Sequence, residues 1–503
     1  MRDGLSGAVA AGLALAVSEF VAGLVVSLPS LIESLGNWVI DNVPPGVKDF
    51  AIATFGTNDK LALIIGIAVV TVLLGVGVGI VSRKHFWVAM IVFGVFAALA
   101  SWAGSRDPSV SPGNAIIPAG LAALTGLGAL QWLYTFGETG DASEETSSSR
   151  RAFIMATGAV VGAAALSAGF GRMLLERGRI IAAGRTDVVL PPPVEAVPPV
   201  PAGAEFGIDG LAPAIVPNED FYRIDTALAI PRISLPEWRL KLTGRVDRPY
   251  EITYADLLDM PMVERTVTLS CVSNRVGGNL VGNAVWLGVP LVDILDRARP
   301  TADAEQIVGR DVDGFTVGFP LEAAFDGRDA LVAVGMNGEP LPFEHGFPAR
   351  LVVAGLYGYV SATKWLSEIE LTGWDEFDAY WVPRGWSKEA PIKTQSRIDT
   401  PTTGGTIEAG RAVAGVAWAP NRGISRVEVQ LGEDADWVDA ELSVPLSDDA
   451  WVQWKTDWTN PSPGRHRISV RATDGEGNTQ TDAVRPPAPD GATGYHSVLI
   501  TVS

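Results

Sequence analysis

Apolar runs broken by short polar loops fill the first third of the chain and then stop. Residues 8–28, 61–81, 86–103 and 114–134 are each about 20 residues or slightly fewer, enough for a helix to cross roughly 30 Å of hydrocarbon. The second run carries Gly66, Gly75, Gly77 and Gly79 among β-branched residues, a composition that lets helix backbones approach closely. Between the first two runs, Leu31, Ile32, Leu35, Trp38 and Val39 give an amphipathic stretch that predicts an interfacial helix. A fifth run, residues 152–175, follows a polar Ser/Glu loop. The pattern predicts a membrane region over residues 1–176 with about five transmembrane helices.

Beyond it the periodicity changes twice. Residues 177–209 read as a Pro-rich linker, because 188–203 (VVLPPPVEAVPPVPAG) can only be extended and semi-rigid. Residues 210–400 alternate short strands (238–243, 266–270, 351–353) with short helices (254–259, 290–298) and Gly/Pro turns, a mixed α+β pattern. From 401 to 503 only strands are predicted, at 415–418, 425–431, 451–454, 467–473 and 496–502. Asp474-Gly475 and Gly477-Asn478 supply hairpin turns, and the style is that of an immunoglobulin-like sandwich. The fold class expected is therefore multi-domain: a helical membrane region, an α+β domain and an all-β sandwich.

Charge orients this plan. With Arg2 on the cytoplasmic side, Arg83-Lys84-His85 and Arg150-Arg151 fall there too, as the positive-inside rule requires. Everything after residue 176 is then extracytoplasmic, attached to a multi-pass protein of the cell membrane. Ser149-Arg150-Arg151-Ala152-Phe153-Ile154 resembles a twin-arginine export signal, which serves folded and often cofactor-loaded proteins. A formal net charge of −19 argues against nucleic acid as a partner. Glu19 is an acid at membrane depth, a functional candidate or a partnered packing residue. The spans offer no pair of histidines to hold a haem, since His85 sits at a loop edge.

Cys271 is the only cysteine of the 503 residues, so no intrachain disulfide forms. Composition alone favours a buried, inert thiol. Its surroundings point elsewhere. Val267-Thr268-Leu269-Ser270-Cys271-Val272-Ser273-Asn274-Arg275 is followed by Gly282-Asn283-Ala284-Val285-Trp286-Leu287-Gly288-Val289-Pro290-Leu291. Downstream come Met336-Asn337-Gly338-Glu339-Pro340-Leu341-Pro342, His345-Gly346-Phe347-Pro348-Ala349-Arg350 and Thr363-Lys364-Trp365-Leu366. Together, in order and spacing, these stretches resemble the sulfite oxidase family of molybdopterin-dependent oxidoreductases, across residues 218–400. Gly415-Val416-Ala417-Trp418, Val427-Glu428-Val429 and Arg471-Ala472-Thr473-Asp474 are similar to the dimerisation domain of many members.

The resemblance implies a molybdenum-molybdopterin cofactor, with Cys271 as metal ligand and catalytic residue. A thiolate suits a metal already held by two soft dithiolene sulfurs, and Arg275 is expected to favour its ionised form. The pterin phosphate is assigned to His345, Arg350 and Lys364, with Thr363 from the same turn. Asn218, Phe221 and Tyr222 lie in the segment that approaches the cofactor, and Asp311 is a further candidate contact. Sulfite-oxidising members place an arginine where this chain has Val276, and an Arg-Asn-His run where it has Arg223-Ile224-Asp225-Thr226. Arg384 is a candidate replacement, and Tyr380 a candidate active-site tyrosine.

The function expected is oxygen-atom transfer to or from a small sulfur- or nitrogen-centred substrate. No haem-attachment motif is present in the chain, so a separate electron-transfer partner is expected, a cytochrome or a membrane redox protein. The alternative within enzymes is reduction of S-oxides, including methionine sulfoxide. The alternative outside them is a non-catalytic surface protein for adhesion or sensing. The sandwich makes a homodimer the expected assembly.

Overall fold

In the computed structural model of the chain, residues 2–502 are described except 26–27, 45–46, 48–49, 52–53, 56–58, 107–109, 111, 136–146, 232, 408–411 and 460; the side chains of 41, 112, 147–150, 172 and 175–183 are likewise left aside. The polar loop expected before the fifth run, and the Ser149 and Arg150 side chains of the expected export signal, thus lie outside the described residues. Contacts divide the chain into two compact units, Met1–Gly184 with Asp225–Ser234, and Arg185–Ile224 with Leu235–Ser503.

The first unit is helical: Arg2–Leu24, Leu31–Asn42, Asp59–Ser82, Phe86–Gly104, Pro112–Thr135 and Ser147–Ala183. Five of these contain segments long and apolar enough to cross a membrane. Arg2–Leu24 packs against Asp59–Ser82, Pro112–Thr135 and Ser147–Ala183, and glycines set how closely. A Cβ on Gly7 would lie 2.0 Å from the Gly75 carbonyl oxygen, one on Gly79 2.2 Å from that of Asp3, and one on Gly23 2.6 Å from that of Gly171. Gly66 and Gly77, by contrast, face open space. Gly79→Leu is therefore expected to overpack the helix crossing by about 1–3 kcal/mol or more, whereas Gly77→Leu should be silent. Thermal unfolding of the detergent-solubilised chain compares the two, and equal effects would refute the account.

Glu19 has a structural task here. It is buried and accepts from the Ser30 hydroxyl at 2.8 Å, while Ser30 caps Leu31–Asn42 by accepting from the Glu33 N–H.

Among the described residues the second unit holds four sheets. One runs Val263–Ser270, Val281–Pro290, Ala330–Met336, Glu339–Pro340, with Arg350–Val353 also antiparallel to Ala330–Met336. Ala330–Met336 is buried at every position, which its unbroken apolar sequence requires. A second sheet runs Tyr250–Thr253, Arg239–Gly244, Leu366–Thr372, Gln306–Asp311, Thr316–Pro320. The last two form a sandwich, one built on Gln395–Thr400, Ala412–Trp418 and Val452–Asp457, the other on His496–Val502, Gly464–Asp474 and Ile424–Leu431. Val413, Val427, Val429, Trp454, Ile468, Val470, Val498 and Ile500 fill the core between them. Along His496–Val502, buried Val498, Ile500 and Val502 alternate with exposed Leu499 and Thr501, the two-residue period of a half-buried strand.

The Pro-rich segment is not a free spacer. The Val194 N–H donates to the Met262 carbonyl at 2.7 Å and the Glu264 N–H to that of Glu195 at 2.8 Å, so the segment lies along the edge strand Val263–Ser270. Proline lacks a donor and is tolerated at a sheet edge, where the few remaining amides suffice.

Between the sandwich and the first sheet lies a carboxyl pair. Asp329 accepts from Arg265 Nε at 2.8 Å, and the buried Asp449 stands beside it, accepting from the Asn421 N–H at 2.6 Å. Burial, then the Asp329 charge, pushes Asp449 up to about 7. A carboxyl raised on folding contributes stability below its unfolded value, and that contribution is lost as pH rises through the folded one. Asp449→Asn should therefore raise the melting temperature at pH 8, with the gain shrinking as pH falls toward 4; a gain independent of pH would contradict the raised carboxyl.

Candidate active site

Cys271 follows the last residue of Val263–Ser270 and opens a closed loop. Its N–H donates to the Leu280 carbonyl at 2.9 Å and its own carbonyl accepts from the Asn274 N–H at 3.0 Å, while Asn274 Oδ1 accepts from the Leu280 N–H at 3.0 Å. The thiol is buried, which pushes its pKa up; hydrogen bonds from the Ser273 backbone and hydroxyl pull it back. Arg275 is exposed, and it is Ser273 rather than Arg275 that favours the thiolate. Nothing in composition marked Ser273, because the signal is the turn that aims it backwards.

The segment containing Asn218, Phe221 and Tyr222 crosses Val281–Pro290, with the Val216 N–H donating to the Asn283 carbonyl at 2.9 Å. Phe221 lies directly on Gly282, where a Cβ would come within 2.8 Å of the ring. Its ring stacks on Tyr222 at 5.2 Å and meets Trp286 and His345 edge-on at 5.8 and 5.4 Å. The Asn218 side chain is engaged with Asn337 at 2.8 Å and Glu339 at 2.6 Å, so its contribution to the site is the backbone oxygen, 2.9 Å from His345 Nε2. Burial draws His345 below the ordinary histidine range, so it is neutral at pH 7 and donates this bond from Nε2. An anion alongside would reverse that shift.

Arg350 is the unusual member. It is 6% exposed, its guanidinium lies 4.9 Å over Trp286, and its hydrogen bonds go to carbonyls, at 3.1 Å to His345 and 3.4 Å to Leu351. No carboxylate among the described residues pairs with it. Burial lowers its pKa to about 10, which still leaves it charged at neutrality. A buried cation without a counter-ion costs several kcal/mol, and a bound anion removes that cost.

Thr363 and Lys364 reach the same place from the other side. The Leu351 N–H donates to the Thr363 carbonyl at 2.9 Å. Thr363 is fully buried and its hydroxyl has no hydrogen-bond partner among the described residues, while Lys364 packs so tightly on Gly346 (φ +108°) that a Cβ there would sit 2.9 Å from its own. Lys364 Nζ donates to the Glu344 carbonyl at 2.9 Å. Tyr222 joins the two halves: burial raises its hydroxyl pKa, the charge on Cys271 raises it further and Arg350 opposes this. Tyr357 also feels Cys271 and is pushed up to about 12, mainly by burial. It lies between the Arg350 and Thr363 motifs, and its place in the Gly-Leu-Tyr-Gly-Tyr run was the signal available for it.

Asp311, Tyr380 and Arg384 form a second cluster. Asp311 Oδ1 accepts the Asp313 and Phe315 N–H groups at 2.9 and 2.8 Å, holding a turn. Phe315 meets Tyr380 at 5.3 Å, and the Arg384 guanidinium lies 3.7 Å over the Tyr380 ring. Ring contacts continue from Tyr380 to Trp381 (5.1 Å), Trp386 (6.4 Å) and Tyr359 (5.7 Å). Tyr359 belongs to Gly358–Ser361, the short helix packed on the end of the cysteine strand. Among the described residues no three His, Cys, Asp or Glu side chains cluster for a metal, so a metal at Cys271 must bring most of its ligands with it.

Residues 227–381 match the family described as oxidoreductase molybdopterin binding domain. The chain is 29% identical to mitochondrial sulfite oxidase of Rattus norvegicus over 320 residues, 54% of this chain and 58% of that one. Against the Homo sapiens enzyme it is 29% identical over 321 residues, with the same coverage of 54% and 58%. The chain thus spans little more than half the length of these relatives. Among solved structures, the sulfane dehydrogenase SoxCD from Paracoccus pantotrophus has the same fold at a TM-score of 0.50, with 21% identity over 59% of this chain and 85% of that one.

Proposed function

We propose, from its similarity to the sulfite oxidase family of molybdopterin-dependent oxidoreductases, that this chain is a member of that family and transfers oxygen atoms to or from a small sulfur- or nitrogen-centred substrate. One observation carries the reading: Arg350, cationic, buried and without a carboxylate partner among the described residues, shares a cluster with the chain's only thiol.

The residues present fit the cofactor. Among the described residues Arg350 has no carboxylate partner and the Thr363 hydroxyl has no hydrogen-bond partner, while hydrogen bonds from Ser273 offset part of the burial that raises the Cys271 thiol. Arg350 and Lys364 would hold the pterin phosphate, Thr363 would donate to it, and His345 would join them on taking up a proton. Phe221, Tyr222 and Trp286 wall the site with apolar rings, and Asn218 sets the His345 tautomer. Cys271 would be the one protein ligand to the metal. When bound, the cofactor supplies a two-electron redox centre capable of oxygen-atom exchange. The chain binds, orients and excludes water. Tyr380 and Arg384 are assigned to the substrate side, Asp311 to the turn beneath them and Arg275 to the outer rim of the cysteine loop.

Residues 1–176 are proposed as the membrane region, 177–209 as the linker, 210–400 as the catalytic domain and 401–503 as an immunoglobulin-like domain suited to dimerisation. Exposed Ile65, Val70, Leu73, Ile91, Leu99, Leu124 and Leu166 support the membrane assignment, since lipid is the solvent such faces require. The catalytic domain is then extracytoplasmic and passes electrons to a separate redox partner. The test is to purify the whole chain, measure molybdenum and pterin, and assay sulfite oxidation and S-oxide reduction with an artificial electron carrier. Stoichiometric cofactor with turnover in either direction is expected; protein matured with a molybdenum supply that contains neither would refute the reading.

A further inference from the structure

We infer that the C-terminal sandwich is part of the metal site: His496 and Arg397 are positioning residues that hold the loop Cys271–Leu280 and so fix the direction of the Cys271 sulfur. The inference rests on Cys271 being the metal ligand.

Two sandwich side chains converge on adjacent glycines of that loop. His496, the first residue of its strand, lies flat against Gly277; a Cβ there would fall 2.1 Å from Cδ2 and 2.3 Å from Nε2 of the ring. Gly277 also has a φ of +77°, so the site demands glycine twice over. The ring is itself fixed, its Nδ1 accepting from the Ile398 N–H at 2.9 Å. One residue further along the loop, the Gly278 carbonyl accepts from Arg397 Nη1 at 3.0 Å. Arg397 and its partner Asp399 are both largely buried, with side chains 11% and 7% exposed, and Asp399 Oδ2 accepts from the Ala212 N–H at 3.0 Å. A buried ion pair aimed at a single loop carbonyl is an anchor with little slack.

The strand leading into Cys271 is gripped as well. The Thr268 N–H donates to the Asp449 carbonyl at 2.9 Å, the Trp451 N–H to the Thr268 hydroxyl at 2.8 Å, and the Ser447 hydroxyl to the Thr266 carbonyl at 2.8 Å. Thus the sandwich holds both the strand before the cysteine and the loop after it. Within the loop, Cys271–Leu280, Asn274–Cys271, Gly278–Arg275 and Leu280–Asn274 hydrogen bonds transmit that hold to the thiol. Outer contacts of this kind orient a ligand without touching the metal.

The experiment uses the full chain and the variants His496→Ala, His496→Phe, Arg397→Met and Arg397→Lys, with Leu499→Ala on the exposed sandwich face as control. Because Cys271 is the only thiol, its alkylation by iodoacetamide in cofactor-free protein reads the loop directly. His496→Ala and Arg397→Met should accelerate alkylation more than about 10-fold, broaden the Mo(V) electron paramagnetic resonance signal of loaded protein, and lower kcat about 10- to 100-fold with little change in KM. Arg397→Lys and His496→Phe, which retain the charge and the ring, should recover part of each. Wild-type alkylation rates and spectra in folded variants, or a fall in melting temperature without any spectroscopic change, would overturn the inference. If the wild type holds no molybdenum, the ligand reading fails, while the alkylation comparison still tests the clamp.

Discussion

Replacing Cys271 by serine is expected to lower the proposed turnover by more than about 100-fold, beyond the 10- to 100-fold that outer contacts of a metal site carry. A serine hydroxyl is hard and stays protonated near neutrality, whereas the thiolate is the soft donor that matches dithiolene sulfur. The fold should tolerate the change, because Ser273 and the loop can hydrogen-bond a hydroxyl as they do the thiol. Metal analysis, turnover with an artificial carrier and a thermal melt separate the two effects. Wild-type turnover in the variant would remove Cys271 from the mechanism.

The second large effect has two opposite signs. Arg350→Met should reduce pterin retention by roughly 100- to 10,000-fold, since two charge-assisted hydrogen bonds contribute about 1.5–3 kcal/mol each. The same substitution should leave cofactor-free protein as stable as wild type or more so, because it removes a buried, unpaired charge and can keep apolar contact with Trp286. Conversely, inorganic phosphate should raise the melting temperature of cofactor-free wild type and not that of Arg350→Met. A variant that loses stability without cofactor would mean that Arg350 is a packing residue. Thr363→Val offers a milder comparison, removing one unpartnered hydroxyl at constant shape.

The helical region and the candidate cofactor residues stand out in the sequence for different reasons. Helices such as Asp59–Ser82 announce themselves because their unbroken apolar run is long and contains few charges. Strands such as His496–Val502 announce themselves by alternation. His345, Arg350, Thr363 and Lys364 become candidates only as parts of motifs, since an isolated Arg or Lys is ordinarily a surface charge. The Pro-rich segment was misleading: its composition suits a spacer, yet Val194 and Glu195 bond to the edge of a sheet. For Arg275 proximity in sequence was not enough: it is exposed four residues beyond Cys271, and the hydrogen bonds to the thiol come from Ser273.

Cys271 shows where the division falls. Local order of residues was enough to propose a soft metal ligand on a strand end, with phosphate-binding cations downstream, because hydrophobic periodicity and motif spacing are properties of short stretches. That, among the described residues, Arg350 has no carboxylate partner and the Thr363 hydroxyl no hydrogen-bond partner, and that His496 and Arg397 close on Gly277 and Gly278 from more than a hundred residues away, depended on packing. Burial and charge pairing are set by which distant segments meet, and only the folded chain brings them together.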